Sequence, residues 1–353
     1  MVAAHVTDAW TRVEDRDRQL YGYTVIIAGL ASPLFLFLAG LTLSLAASNR
    51  AGTLGHAAAA STARKRALQI FALAFVFRLQ SQLLGWGPLV NFLKVDILNV
   101  MGVAMFAAAL LWGLSANRIA RITLFAVATT TIAMTTPLVR EWGAIAALPD
   151  AIEAYIRPLP GRTNFALYPW AGFLLGGTIA GELIQAARTN RDERRLQYGL
   201  LIAGAAGVAI AYALSFQPSI YSNANFWTSS PTFFFMRLGL NTMLLPVAWG
   251  IDRFHVFMRV SWPTTFTAPD VPGRVITTLG RSSLFVYWIH VEMAYGSIAL
   301  PLRRSMPLEL SLLGTVTLCA VLYRITRWKD TRLREVRLSG PFKILGPVLQ
   351  VGK

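Results

Sequence analysis

Residues 24–47 read Thr24-Val-Ile-Ile-Ala-Gly-Leu-Ala31-Ser-Pro33-Leu-Phe35-Leu-Phe37-Leu-Ala-Gly40-Leu-Thr-Leu-Ser44-Leu-Ala-Ala47, with no charged side chain. As a helix this stretch measures about 36 Å, enough to cross a hydrocarbon core of about 30 Å. The pattern recurs along the chain. Nine stretches, at about 24–47, 67–84, 95–114, 119–138, 165–187, 198–216, 233–251, 282–300 and 309–325, are apolar enough to span. Gly, Pro and basic clusters separate them. Met1-Val-Ala-Ala-His5-Val-Thr-Asp8-Ala-Trp10 precedes the first and reads as the outer end of a further helix whose start lies upstream. The expected fold is therefore an all-α integral membrane protein. It is a polytopic bundle of about nine to ten transmembrane helices, the first truncated, forming one integral-membrane domain over residues 1–353.

Composition agrees with a bilayer as solvent. Hydrophobic residues make up 55% of the chain and charged residues 14%, which excludes an ordinary soluble domain. The net charge of +16 does not make this a nucleic-acid-binding protein, because the charges lie between spans, where topology demands them. The single cysteine, Cys319, rules out an internal disulfide and a cysteine-ligated zinc site. No metal site or P-loop is legible.

The basic residues set the orientation. Segments 48–66, 115–121, 188–197, 252–281 and 326–353 hold 21 Lys and Arg, and the alternate segments hold 9. The positive-inside rule puts the first set, and with it the C-terminus, in the cytoplasm, as expected for a bacterial inner-membrane protein. Residues 139–164 and 217–232 are then the longest outer loops. Their Trp142, Tyr155, Tyr221 and Trp227 either anchor at the interface or line a ligand mouth.

Ionisable side chains within spans are costly and face the protein interior. Arg78 lies near the outer end of its span and Asp96 opens the next, across the short connection 85–94, so the two are expected to pair. That pair either locks two helices or leaves Arg78 to neutralise a substrate charge. Arg237 and Asn241 share a helix face at i, i+4. Tyr287, His290 and Glu292 fall within one and a half turns of one span. His5 and Asp8, three apart, share a helix face, where a carboxylate can orient an imidazole acting as general base.

Several segments together resemble the heparan-alpha-glucosaminide N-acetyltransferase catalytic-domain family. They are Met1-Val-Ala-Ala-His5-Val-Thr-Asp8, Ala31-Ser-Pro33 to Gly40 with Ser44, Lys94-Val-Asp96-Ile-Leu98-Asn99-Val-Met-Gly102, Asn164-Phe165-Ala-Leu-Tyr168-Pro169-Trp170-Ala-Gly172-Phe173 and Leu279-Gly280-Arg281-Ser282-Ser283-Leu284-Phe-Val-Tyr287-Trp-Ile-His290. The family's opening "R…D…RG" lies upstream of Met1 and is absent.

The resemblance implies a membrane acyltransferase that passes an acyl group, expected to be acetyl, from cytoplasmic acyl-CoA to an extracytoplasmic sugar or glycan. It assigns catalysis to His5, Asp8 and His290. His5 either deprotonates the acceptor or takes the acyl group covalently, and His290 either binds the acceptor or holds the thioester carbonyl. Arg78, Asp96, Asn99, Asn164, Trp170, Arg237, Asn241 and Tyr287 become candidate substrate contacts. Arg64, Lys65, Arg66, Arg194 and Arg195, in basic inner loops, become candidate CoA-phosphate contacts, unless they serve topology or anionic lipid. The competing readings are a transporter or channel with a charged intramembrane pathway, and an inactive paralogue. Against the first, no inverted repeat or matched pair of broken helices is found.

Overall fold

A computed structural model describes residues 1–85, 92–261 and 271–339. Among the described residues the chain is helical throughout and forms no strand. The helices are α1 (Val2–Trp10), α2 (Gln19–Ala28), α3 (Ala31–Leu54), α4 (His56–Gly85), α5 (Ile97–Gly113), α6 (Arg118–Glu141), α7 (Asp150–Ile156), α8 (Leu167–Ala186), α9 (Asn190–Leu214), α10 (Pro231–Ser261), α11 (Val271–Arg281), α12 (Ser283–Tyr295) and α13 (Leu308–Ser339).

Among the described residues, five stretches are long and apolar enough to cross a membrane: Gln19–Leu54, Arg118–Glu141, Asn190–Leu214, Pro231–Phe254 and Leu308–Leu333. This is an integral membrane protein. The other expected spans fall on α4, on α5, which is apolar but has only 17 residues, on α8 and on α12. The span expected at 282–300 ends early. Gly296 turns extended after 13 helical residues, and a 3-10 segment, Ser297–Leu302, follows. The connection expected at 85–94 includes residues 86–91, which lie outside the described residues, as does the C-terminal segment 340–353.

The helices gather into two units, Leu30–Val256 and Met1–Gly29 with the described residues from Phe257 onward. In the first, α3 and α8 approach through small residues, the usual route to close packing where lipid supplies no hydrophobic drive between helices. A Cβ on Gly40 would overlap the Leu174 carbonyl oxygen, and one on Gly177 would overlap that of Phe37. One turn further, a Cβ on Gly181 would stand 2.6 Å from the Leu41 carbonyl oxygen. Gly102 does the same for α5, where a Cβ would sit 2.6 Å from the Cβ of Phe71 on α4.

A buried polar knot ties four of these helices. Glu182 is fully buried, and its Oε1 accepts from the Ser44 hydroxyl at 2.6 Å and the Trp112 indole N–H at 2.8 Å. Its Oε2 accepts from Arg121 Nη2 at 2.7 Å. The Arg121 guanidinium also lies over the Trp112 ring and donates to the Ser115 and Ala116 carbonyls. His56 stacks on Trp112 with ring centres 4.3 Å apart.

In the second unit, α1 packs against α12 and α13. Val6, Ala9 and Trp10 join Ala299, Leu318 and Leu322 in one apolar cluster. The Trp10 indole donates to the Ala294 carbonyl at 3.1 Å. Gly314 leaves room for that indole, since a Cβ there would lie 2.7 Å from Trp10 Cζ3. The start of α13 is capped from far away in sequence, because the Leu308 amide donates to Asp15 Oδ2 at 3.0 Å. That bond first, and the Arg12 bond second, hold the Asp15 carboxyl below its usual range.

Candidate functional site

The N-terminal segment expected to be helical is α1, and it carries His5 and Asp8 on one face as the i, i+3 spacing requires. The two side chains do not bond each other in the way the spacing suggests. Tyr295, the last residue of α12, stands between them. Its hydroxyl donates to Asp8 Oδ2 at 2.7 Å, and its oxygen lies 3.3 Å from His5 Nδ1. A phenol has one hydrogen, and here it goes to the carboxylate, so its oxygen accepts from His5. The network thus assigns the His5 proton to Nδ1 and the lone pair to Nε2.

Asp8 is also steadied from behind. Arg16 Nη2 donates to the Asp8 carbonyl at 2.5 Å, and Arg16 Nε donates to the Thr11 carbonyl at 3.2 Å. These are carbonyls at the end of α1, where a cation is favoured. Arg16 Nη1 stands 4.0 Å from Asp8 Oδ1.

His290 lies beside His5, with ring centres 5.1 Å apart. It is 1% exposed. Its Nδ1 donates to the Val286 carbonyl one turn back at 2.7 Å, which leaves Nε2 as an acceptor only. That nitrogen is buried with no hydrogen-bond partner among the described residues. Tyr287, also buried, meets the His290 ring edge-on at 5.6 Å. His5, Asp8, Tyr287 and His290 are therefore gathered in one unit, and Tyr295 is the member the sequence reading missed.

In the Leu30–Val256 unit, Arg78 and Asp96 form the expected ion pair, Nη2 to Oδ2 at 2.8 Å, with side chains 15% and 14% exposed. Asp96 also caps α5 through the Ile97 amide at 2.8 Å. Asn99 closes that capping box from the other side, accepting from the Asp96 amide at 3.1 Å while donating to the Tyr155 hydroxyl at 3.2 Å. Its amide is engaged on both ends, by the α5 cap and by the Tyr155 hydroxyl.

Asn164, Trp170 and Arg237 come together around a cavity of about 270 Å³, which Arg140 and Trp227 also line. Arg237 lies 3.9 Å over the Phe233 ring. Tyr221, by contrast, is taken up by the Met134 carbonyl at 2.6 Å. Asn241, one turn along α10, is fully buried with neither amide atom bonded among the described residues.

The basic clusters sit differently from expectation. Arg64, Lys65 and Arg66 belong to α4, and Arg194 and Arg195 to the first turns of α9, rather than to loops. Helix α4 begins directly after Gly55, whose positive φ makes the turn tight and leaves no loop to hold charge. Arg194 and Arg195 are exposed. Among the described residues no group of three His, Cys, Asp or Glu side chains is arranged to hold a metal ion.

Residues 1–218 match the family model described as heparan-alpha-glucosaminide N-acetyltransferase, catalytic. The match covers His5 and Asp8 and stops before His290 and Tyr295. No curated protein matches the chain.

Proposed function

The chain belongs to the heparan-alpha-glucosaminide N-acetyltransferase catalytic family, and from that premise we propose that it moves an acetyl group from cytoplasmic acetyl-CoA to an extracytoplasmic sugar or glycan. Membership makes it an acyltransferase-type membrane enzyme. The donor, the acceptor and the direction of transfer are our reading, as are the nine to ten spans, the bacterial inner membrane and a single acyltransferase domain over 1–353.

The observation that carries the proposal is the chain of bonds from Asp8 through the Tyr295 hydroxyl to His5 Nδ1. It holds the proton on Nδ1 and orients the ring, so that Nε2 is the lone-pair nitrogen a general base or nucleophile uses. As base, His5 takes a proton from the acceptor amine or hydroxyl as that atom bonds the thioester carbon. The C–S bond breaks, and the proton passes on to the departing CoA thiolate. Asp8 stabilises the imidazolium that forms in between, acting through Tyr295.

His290 fits one of its two expected roles better than the other. With Nδ1–H given to Val286, its neutral ring offers only a lone pair. A lone pair holds an N–H or O–H of the acceptor and repels a carbonyl oxygen, so we assign His290 to the acceptor. Within the Leu30–Val256 unit, Asn164, Trp170 and Arg237 are the substrate contacts we favour, and Tyr287 supports the His290 ring. Arg78 is already neutralised by Asp96 and both ends of the Asn99 amide are already hydrogen-bonded, so we assign them positional roles. The exposed Arg194 and Arg195, with Arg64, Lys65 and Arg66, are suited to CoA phosphates.

The test is purified membrane protein with radiolabelled acetyl-CoA and a panel of amino sugars and glycans. His5→Ala is expected to abolish transfer while leaving insertion and detergent-solubilised monodispersity intact. Transfer at the wild-type rate by His5→Ala overturns the assignment.

A further inference from the structure

The pocket between the starts of α8 and α10 has an unusual charge balance. Its lining includes two guanidiniums, Arg140 and Arg237, and no carboxylate. Arg237 has no acceptor among the described residues and rests on the Phe233 ring. Arg140 donates Nη1 to the Thr228 hydroxyl at 2.9 Å, while its buried Nε has no partner. Elsewhere in this unit, Arg78 is neutralised by Asp96, Arg121 by Glu182 and Arg157 by Glu153. Arg140 and Arg237 thus line one cavity with no carboxylate among its lining residues to neutralise them.

The backbone adds the same sign. Residues at the N-terminal ends of α8 and α10 line the cavity, and a helix N-terminus favours negative charge. Trp170 and Trp227 supply flat apolar walls, and Trp227 is 59% exposed despite its size. A cavity of about 270 Å³ is slightly below the range that holds drug-sized ligands, and so suits a single ring or a headgroup.

We propose that this pocket binds a small ring-bearing ligand through a phosphoryl group. A phosphoryl group carries nearly two negative charges at neutral pH and several acceptor oxygens, which matches two guanidinium forks. One carboxylate would leave a cation uncompensated. The ring packs on the tryptophans. The same phosphoryl chemistry is offered by a soluble sugar phosphate and by an anionic lipid headgroup. The inference deepens the substrate-contact reading of Asn164, Trp170 and Arg237 and rests on that reading for taking the ligand as substrate. Binding itself is measured apart from transfer, so the two fail separately.

The experiment uses the full chain purified in a maltoside detergent, which carries no phosphate. Inorganic phosphate, glucose 6-phosphate, glucose and phosphatidylglycerol are each titrated by calorimetry. Glucose 6-phosphate is expected to bind and glucose not to. Arg237→Ala should weaken binding roughly 10- to 100-fold. Arg237→Lys should keep part of it, because the charge stays while the fork is lost. Since Lys preserves the cation, its partial binding shows that loss in Arg237→Ala is not misfolding. Trp227→Ala should weaken glucose 6-phosphate and spare inorganic phosphate. Arg237-dependent binding of phosphatidylglycerol alone also supports the inference and assigns the phosphoryl group to a lipid. Absence of binding by every phosphoryl compound, or equal binding by wild type and Arg237→Ala, overturns it. In that case, continued transfer to an uncharged amino sugar leaves the acyltransferase reading standing.

Discussion

The Tyr295 hydroxyl bonds the Asp8 carboxylate at 2.7 Å across 287 positions of sequence, and its oxygen faces the His5 imidazole. Asp8 therefore reaches His5 through a phenol rather than directly, which makes Tyr295 a positioning residue with a measurable signature. Tyr295→Phe keeps the ring and removes the relay. It should lower acetyl transfer by roughly 10²–10³-fold, within the range a positioned acid–base contributes. Its pH–rate profile should also lose the limb assigned to His5, which a merely structural role would not move. An unchanged profile in Tyr295→Phe would remove Tyr295 from the mechanism.

Arg78 and Asp96 should behave as one unit. Asp96→Asn is the suitable partner variant, because Asn keeps a helix cap while losing the charge. Arg78→Met or Asp96→Asn alone should each cost roughly 3–5 kcal/mol, leaving a buried charge alone, and the double variant should recover much of that. Thermal denaturation in detergent measures all three. Additive losses would count against the coupling.

The α3–α8 contact predicts a sharp contrast between two glycines. Gly177→Ala pushes a methyl into the Phe37 carbonyl and should destabilise by roughly 1–3 kcal/mol or more. Gly207→Ala, on α9, meets nothing within 4 Å and should be neutral or stabilising by up to about 1 kcal/mol. Equal effects from the two would mean that α3 and α8 pack less closely than described.

Asp15 gives a pH dependence with a definite sign. Its folded carboxyl is held below the unfolded value of about 3.9, chiefly by the Leu308 amide. The stability it contributes is therefore complete above about pH 4 and is lost as pH falls through the folded value. Asp15→Asn should be less stable than wild type at pH 7, with the difference shrinking below pH 4. A difference that is constant across that range would contradict the assignment.

Topology can be checked by reporter fusions. Fusions after residues 55, 116 and 188 are expected to report cytoplasm and those after 150 and 225 the outside, from the 21-to-9 split of basic residues. An inverted result at 188 or 225 would break the span order.

Much of this was legible in the sequence because its causes are local. Apolar runs betray helices, and the Arg78–Asp96 pair followed from two charges at facing helix ends. Arg237 was legible as a charged group near the outer end of a span, and Asn164 only through the family resemblance. Tyr295 was not, because a tyrosine near a span end looks like any interfacial aromatic until α1 is set beside α12. Glu182 was missed for a different reason. A carboxylate a few residues before Gln185 and Arg188 reads as the end of a span, although a lone acid in an apolar run was signal enough to ask for a partner. Arg121 had been counted among the loop charges that set topology, and its burial reflects a cation turned back onto Glu182.

The bond from the Leu308 amide to Asp15 also constrains how the protein is made. The ribosome delivers residue 15 long before residue 308, and at about 5–20 residues per second the interval is roughly 15–60 s. Throughout it, Trp10 has emerged without Ala294 to accept its N–H, and His5 without Tyr295. The α1 segment must wait, already synthesised, for α12 and α13 before the histidine site can close. Its completion is therefore a late, post-insertional event, and nascent chains arrested before residue 308 should carry the histidine without the environment that makes it a base.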